Sequence, residues 1–339
     1  MTTQGTSTTS LTEESPRIER ILDLIAPKLE RVEEALQQKF ISDVRTVRDV
    51  GDHVLGGGGK RLRPSLLLLV SEMVGYRGEN DVKFAAVVEL IHTATLVHDD
   101  IIDQAAVRRG RTSINYRWGN HLTVLIGDYL YTHSMDLALD VGNLDVLRLL
   151  SRATIRMTEG EILGLEKSGR LDLSLDEYFD IVGRKTAELF GASCRIPGYL
   201  VDLPESSGNA LFAYGFNLGV CFQLIDDLLD YTSSTEALGK PALSDLKEGK
   251  LTLPLLLALP HATETEKRLI QRVVNDHAFG STRPPEVMAI VNRYETLERS
   301  REIAAEYADR ARASLMEFKP SPARDALEFA VDFVTSRNR

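Results

Sequence analysis

Six carboxylates in two copies of one pattern carry the strongest chemical signal in this chain: Asp99-Asp100-Ile101-Ile102-Asp103 and Asp226-Asp227-Leu228-Leu229-Asp230. On a helix, residues four apart are offset by about 40° and lie one turn apart. Asp99 and Asp103 therefore share a face with Asp100 beside them, and Asp226, Asp230 and Asp227 repeat the arrangement. Like charges at this spacing repel, so a positive charge belongs among them at neutral pH. The donors are hard oxygens, without Cys or clustered His. They point to Mg²⁺ held by Asp99, Asp100, Asp103, Asp226, Asp227 and Asp230 together with phosphate oxygens of a substrate. A single DDxxD is more often a solvated helix face. Both copies here, however, follow apolar runs over 87–97 and 219–225, which no water-facing helix would carry.

A cationic segment complements the acidic ones: Gly56-Gly57-Gly58-Gly59-Lys60-Arg61-Leu62-Arg63-Pro64. Four glycines let backbone approach a ligand closely, and three cations follow at once. The spacing is not that of a P-loop. Lys60 and Arg63 are candidates for clamping a second phosphate group without metal; Arg61 either joins them or faces solvent. Arg108-Arg109-Gly110-Arg111 follows the first acidic motif and offers guanidinium forks for diphosphate oxygens. His92 lies two helical turns before Asp99 on the same face. Lys185-Thr186 is placed in a helix, and Lys240 and Lys250 follow the second acidic motif.

The 339 residues, 43% apolar and 27% charged, suffice for a large core. A net charge of −10 argues against nucleic acid as the main partner. Cys194 and Cys221 sit in apolar surroundings and read as buried thiols of a reducing compartment, the cytoplasm. Residues 1–15, rich in Thr and Ser, read as a disordered tail without the pattern of a signal peptide, leaving 16–339 as one domain. No stretch approaches 18 uninterrupted apolar residues, so no transmembrane segment is expected.

The periodicity predicts helices nearly throughout. Ile21, Leu22, Ile25, Leu29, Val32 and Leu36 mark an amphipathic helix, and a mostly apolar one runs from Val82 into the first acidic motif. Further helices are expected over 120–140, 144–169, 176–200, 207–231, 251–259, 263–277, 284–294, 297–317 and from Pro322 to about Ser336. Gly, Pro, Ser and charge content puts loops at 56–59, 103–111, 169–174, 203–208, 233–250 and 279–285. Alternation of β-branched residues is scarce, so no sheet is expected. The fold class is all-α: a single large helical bundle whose central helices face the two acidic motifs across a cavity.

Together these residues resemble the trans-type isoprenyl diphosphate synthases, the polyprenyl synthetase family, whose bundle is the isoprenoid synthase type. The likeness covers roughly 20–335. It rests on Gly58-Gly59-Lys60-Arg61-Leu62-Arg63-Pro64, the first acidic motif with Arg108-Arg109-Gly110, Gly127-Asp128, Gly160-Glu161, Lys185-Thr186, Phe222-Gln223 leading into the second acidic motif, Gly239-Lys240 and Gly249-Lys250-Leu251-Thr252-Leu253-Pro254. The resemblance implies Mg²⁺-dependent head-to-tail prenyl transfer, with three ions bridging Asp99, Asp103 and Asp226 to an allylic diphosphate. It implies that Arg108, Lys185 and Lys240 steady that diphosphate, and that Lys60, Arg63, His92 and Arg109 hold isopentenyl diphosphate. Thr186 and Gln223 take supporting catalytic roles, Lys250 a substrate-binding one, and closure over 233–250 excludes water. A homodimer is likewise implied.

In the resembling family, bulky side chains about one turn before the first acidic motif stop the growing chain. Ala94 and Thr95 stand there and are small, which leaves a tunnel open and favours a long product, about C35 to C50, octaprenyl-like. Tyr129, Tyr131, Met135 and Met157 are candidates for its floor. A short-chain farnesyl or geranylgeranyl synthase is the nearest alternative. Class I terpene cyclases lack the second Asp-rich motif and the second diphosphate site. A non-catalytic subunit would have lost site residues that this chain retains.

Overall fold

The computed structural model describes residues 23–56, 58–108, 110–232, 243–280 and 282–337. The expected tail over 1–15, Arg109, Lys240 and the segment 233–242 lie outside the described residues.

The described chain is helical apart from one short hairpin. Its first half contains α1 (Ala26–Gln38), α2 (Arg45–Gly56), α3 (Leu62–Met73) and α4 (Asn80–Ile102), then β1 (Val107–Arg108), β2 (Arg111–Thr112), α5 (Ile114–Trp118), α6 (Asn120–Val141) and α7 (Leu144–Lys167). The second half contains α8 (Leu175–Val182), a π-helical turn over Gly183–Ala187, α9 (Glu188–Leu200) and α10 (Glu205–Thr232). It closes with α11 (Ser244–Lys247), α12 (Leu253–Ala258), α13 (Glu264–Asp276), α14 (Pro284–Arg293), α15 (Thr296–Ser314) and α16 (Pro322–Thr335). The all-α expectation holds. Sheet structure departs from expectation: β1 and β2 pair antiparallel, Val107 opposite Thr112 and Arg108 opposite Arg111, at the expected loop over 103–111. Helices α2, α3 and α5 are additions to the expected set, and α11 lies within the expected loop over 233–250.

Local chemistry explains many boundaries. Ser174 and Glu177 form a reciprocal capping box at the start of α8, and Thr263 and Glu266 form another at α13. The Asn143 side chain accepts from Val146 N at 3.1 Å to open α7, and the Ser321 hydroxyl accepts from Arg324 N at 3.2 Å to open α16.

Two central helices, α4 and α10, are apolar nearly all round and carry the acidic motifs at their C-terminal ends. α4 packs chiefly on α6, and α10 lies between α9 and α15. Phe84, Leu90 and Ile91 of α4, Leu130 of α6, Leu189 and Phe190 of α9 and Tyr214 of α10 are fully buried. α10 is long and apolar enough, by length and composition, to cross a membrane, which a count of uninterrupted apolar residues did not foresee. Asn209, Asn217 and Gln223 break such a count without lowering the mean much. More than half of that stretch is buried inside the bundle.

Two glycines bring the elements of the site together. A Cβ on Gly160 of α7 would lie 2.7 Å from the backbone nitrogen of Lys185, and one on Gly219 of α10 would lie 2.7 Å from the Cα of Ala187. Only Gly allows both helices this close to the π-helical turn, which holds Lys185 and Thr186 between them.

Candidate active site

The C-terminal ends of α4 and α10 open into one cleft of about 690 Å³. Asp99 and Asp103 line it from α4, Asp226, Asp227 and Gln223 from α10, and Lys185 and Thr186 from the π-helical turn. Arg108 enters from the hairpin, while Asp245, Glu248 and Lys250 come from the segment after α10. The two acidic motifs therefore share one cavity, and cations are interleaved with them.

Each carboxylate is held differently. Asp100 is buried, pointing away from the cleft, and pairs with the Arg108 guanidinium; its backbone carbonyl accepts from Asn115 Nδ2 at 2.8 Å. Asp103 accepts from Lys250 Nζ at 2.9 Å, and the same ammonium reaches Glu248 at 2.8 Å. Burial works against the charge on Lys250, but Asp103 and Glu248 outweigh it and hold its pKa above the ordinary value. Burial pushes Asp99 up to about 6, with Glu161 and Asp103 adding to the rise and Lys185 and Arg108 opposing it.

On α10, Asp226 is exposed and lies 3.4 Å from Arg337 Nη2, beyond the end of α16. Asp227 is buried and accepts from Tyr178 Oη at 2.5 Å and from Gln223 Nε2 at 2.8 Å. Gln223 Oε1 accepts in turn from Thr186 Oγ1 at 2.9 Å, so a chain of neutral donors ends on Asp227. Burial raises Asp227 to about 7 despite those bonds. Asp230 does not face the cleft. Its Oδ1 accepts from Ser244 N at 3.0 Å and Ser244 Oγ at 2.8 Å, and its Oδ2 from Asp245 N at 3.2 Å. Asp230 thus anchors the start of α11, and the face-sharing expected from four-residue spacing is altered by this local bonding.

Of the remaining predicted residues, Lys60 and Arg63 lie against aromatic rings near Arg337. Lys60 lies 5.7 Å from the centre of the Phe333 ring, and its pKa is lowered by burial and by Arg337, with Asp226 opposing. The Arg63 guanidinium lies 4.3 Å over Phe190, and that of Arg337 lies 4.8 Å over Phe222. Lys60, Arg337 and Asp226 thereby adjoin one another next to the cleft. His92 is half-buried on α4. Arg61 neither joins Lys60 nor faces solvent: its side chain is paired with Glu33 and Glu89.

Ala94 is buried, and Thr95 is half-buried with its hydroxyl donating to the His92 carbonyl at 2.8 Å. Among the floor candidates, Tyr129 donates to Lys39 O at 2.8 Å, Tyr131 is exposed, Met135 is half-buried and Met157 is buried.

Sequence reasoning gave no role to five residues that shape the cleft. Glu161 pairs with Lys185, Tyr178 donates to Asp227, Asp245 and Glu248 add carboxylates, and Arg337 pairs with Asp226. Glu161 was visible as part of the Gly160-Glu161 motif. Arg337 carried no signal beyond its charge at the end of an amphipathic helix.

The sequence profile of the family described as polyprenyl synthetase matches residues 44–291. The octaprenyl diphosphate synthase of Escherichia coli (strain K12) is 38% identical over 322 residues, which cover 95% of this chain and 99% of that protein. A crystal structure of a polyprenyl synthase from Caulobacter crescentus CB15, complexed with calcium and isoprenyl diphosphate, superimposes with a TM-score of 0.89 at 36% identity, covering 95% of this chain and 98% of that one. A decaprenyl diphosphate synthase from Rhodobacter capsulatus gives a TM-score of 0.89 at 37% identity, covering 95% and 99%. The fold, the doubly acidic cleft and these likenesses define a prenyltransferase. The chain belongs to the polyprenyl synthetase family.

Proposed function

We propose that the chain is an all-trans-polyprenyl diphosphate synthase, which condenses isopentenyl diphosphate head to tail with an allylic diphosphate to give a long product of about C35 to C50. The observation that carries this reading is a single cleft in which carboxylates of both acidic motifs meet Arg108, Lys185 and Lys250. A second cationic group, Lys60, Arg63 and Arg337, adjoins it and supports a separate site for a second diphosphate.

The donor set suits Mg²⁺. Asp99, Asp103 and Asp226 present hard oxygens to the cleft, and among the described residues no group of three or more His, Cys, Asp or Glu side chains is arranged to hold an ion by itself. An open set of carboxylates fits an ion that keeps several waters and shares the oxygens of a bound diphosphate. Bound there, with three ions per site as the resemblance implies, Mg²⁺ supplies Lewis acidity toward the leaving diphosphate.

The chain's own residues do the rest. Arg108, Lys185 and Lys250, with Lys240, hold the allylic diphosphate through charge-assisted hydrogen bonds. Lys60, Arg63, His92 and Arg109 hold isopentenyl diphosphate so that its double bond faces the allylic carbon, and Arg337 adds a cation to that group. The Thr186–Gln223–Asp227–Tyr178 chain fixes the wall at the reacting end. Of the six aspartates, Asp100 and Asp230 do not line the cleft and act through the shape of the site, while Asp227 lines it with both oxygens already held by Tyr178 and Gln223. The small Ala94 and Thr95 leave room for a growing chain, consistent with similarity to octaprenyl and decaprenyl synthases.

The proposal also covers organisation. Residues 16–339 form one polyprenyl synthetase domain behind a tail over 1–15. Exposed Val124, Leu125 and Leu139 on α6 and Ile155 and Ile162 on α7 offer apolar surface suited to a second copy, hence a homodimer. Two buried free thiols, Cys194 and Cys221, accord with the cytoplasm.

The test is product length from purified protein with Mg²⁺, farnesyl diphosphate and labelled isopentenyl diphosphate. Products of C35 or longer are expected. A stop at C15 or C20 would move the enzyme to the short-chain class, and no incorporation would reopen the cyclase and partner-subunit readings.

A further inference from the structure

Arg61 lies inside the cationic segment, yet it points away from its neighbours. Its backbone is left-handed, φ 45° and ψ 37°, a conformation that side-chain-bearing residues rarely adopt. It precedes the first turn of α3, where its carbonyl accepts from Ser65 N at 2.9 Å, and no side chain caps that end. Local preference alone does not select this geometry, so tertiary contacts must hold it.

Those contacts are two carboxylates from two other helices. Arg61 Nη1 donates to Glu89 Oε1 of α4 at 2.9 Å. Nη2 donates to Glu33 Oε2 of α1 at 3.0 Å, and Nε donates to the other oxygen of Glu33. The Glu33 pairing is bidentate, the fork geometry that fixes a guanidinium in orientation as well as position. The Arg61 side chain is only 11% exposed and that of Glu89 5%.

Lys60 and Arg63 go elsewhere. Lys60 reaches Phe333 of α16, and Arg63 lies over Phe190 of α9. With Arg61 drawn toward α1 and α4, the flanking residues of the turn are oriented toward α9 and α16. Glu89 stands three residues before His92 on the same helix. One ion-pair cluster therefore fixes the turn carrying Lys60 and Arg63 relative to the helix that carries His92, Asp99 and Asp103.

We propose that Arg61 is a positioning residue for the isopentenyl diphosphate group: clamped between Glu33 and Glu89, it holds its own left-handed turn and thereby aims Lys60 and Arg63. This inference rests on the reading of Lys60 and Arg63 as the isopentenyl diphosphate clamp, and the experiment separates the two. Arg61 itself touches no substrate.

The experiment measures KM for isopentenyl diphosphate and for the allylic diphosphate separately, with kcat and Tm, in full-length Arg61→Ala, Arg61→Lys, Glu89→Gln, Lys60→Ala and Arg63→Ala. Arg61→Ala is expected to raise KM for isopentenyl diphosphate about tenfold while that for the allylic substrate stays within about twofold, since misplacing a binding group by an ångström is enough for such losses. Arg61→Lys keeps the charge without the fork and is expected to recover part of the loss. Glu89→Gln, which leaves Arg61 and the turn sequence intact, is expected to show the same selective rise, smaller, and serves if Arg61→Ala folds poorly. Equal rises in both KM values, or a fall in Tm with neither KM moved, would overturn the proposal and leave Arg61 a structural brace. If Lys60→Ala and Arg63→Ala leave KM for isopentenyl diphosphate unchanged, the clamp reading itself fails. If they raise it and Arg61→Ala and Glu89→Gln do not, only the positioning role fails.

Discussion

The two acidic motifs share a pattern but not a chemistry of support. On α4 the carboxylates are met by cations: Asp100 by Arg108, and Asp103 by Lys250. On α10 the two buried carboxylates are met by neutral donors: Asp227 by Tyr178 and Gln223, and Asp230 by Ser244 and the Asp245 amide. Cations neutralise; neutral donors only solvate. Only exposed Asp226 meets a cation there, Arg337, while burial first, then Asp230 and Asp227, raise nearby Asp245 well above its ordinary pKa, so the α10 motif holds part of its acidity as bound protons that a cationic ligand displaces. Identical spacing in the chain thus yields one motif largely balanced by the protein's cations and one balanced in part by protons.

The largest effect should separate residues within the α10 motif. Asp226→Asn removes an oxygen presented to the cleft, and kcat is expected to fall by about 10³-fold, the scale of losing one electrostatic contact to the reacting group. Asp230→Asn keeps an oxygen for Ser244 and is expected to lower kcat less than about tenfold. Steady-state rates at saturating Mg²⁺ decide this, and equal losses would mean that both carboxylates face the ions.

Next in size is the pH dependence of metal affinity. The metal-free fold holds Asp99 at about 6 and Asp227 at about 7, both raised from an ordinary value of 3.8. Raised carboxylates are protonated in the fold where the unfolded chain has already lost its protons. Between about pH 4 and 7 these groups therefore stabilise the metal-free fold as the pH falls, and they lose that contribution as it rises. Mg²⁺ bound at Asp99 displaces its proton and by its charge disfavours the one on nearby Asp227, so its affinity is expected to fall by about tenfold per pH unit, for each proton displaced, below about pH 6. Calorimetric titration at pH 5.5 and 8 measures it; a larger rise in Tm with Mg²⁺ at pH 8 than at pH 5.5 is the companion result. Equal affinities would remove the bound protons on which the comparison rests.

Smaller again is the effect of Asp230→Ala on the segment it anchors. Three hydrogen bonds to Ser244 and Asp245 are lost, and amide exchange over 243–246 is expected to quicken by about tenfold while the core of α10 stays protected. Unchanged exchange there would show that Leu243 N, bound to the Asp230 carbonyl at 2.9 Å, suffices to hold the turn.

Much of this was legible in the sequence, for reasons that particular residues make plain. Long apolar helices with acidic ends have a strong period and a sharp change of composition, so α4 and α10 stand out, and with them Asp99, Asp103 and Asp226. α3 was hidden because Leu66 to Val70 is a solid apolar run without period, and α2 because it adjoins four glycines. Two-residue strands are too short to alternate, which concealed the hairpin. Support was the least legible layer. Glu33 and Glu89 each stand 28 residues from Arg61, and Tyr178 stands 49 from Asp227. Only tertiary packing brings such partners together, and no spacing rule reports them. Asp230 shows the opposite error: the four-residue rule placed it beside Asp226, whereas local bonding to Ser244 turned it away.

The finest distinction concerns Asp100. If the α4 motif is balanced by cations, Asp100→Asn should cost stability more than rate. The substitution leaves the backbone carbonyl that Asn115 uses, removes one charge of a pair buried on the Asp side, and leaves Arg108 partly solvated, at 30% exposure. Breaking a fully buried pair costs about 3–5 kcal/mol, and access of water to Arg108 reduces that to about 1–2 kcal/mol. In a chain of this size that is a fall in Tm of a few degrees. The rate at saturating substrate is expected to change by no more than about threefold, because Arg108 keeps its place on the cleft wall. Had Asp100 been a direct ion ligand, the order would reverse: Tm without metal would rise on relief of repulsion, and the rate would collapse as in Asp226→Asn. Thermal unfolding without Mg²⁺, set beside kcat with it, distinguishes the two, since a supporting carboxylate and a ligating one move these quantities in opposite proportion.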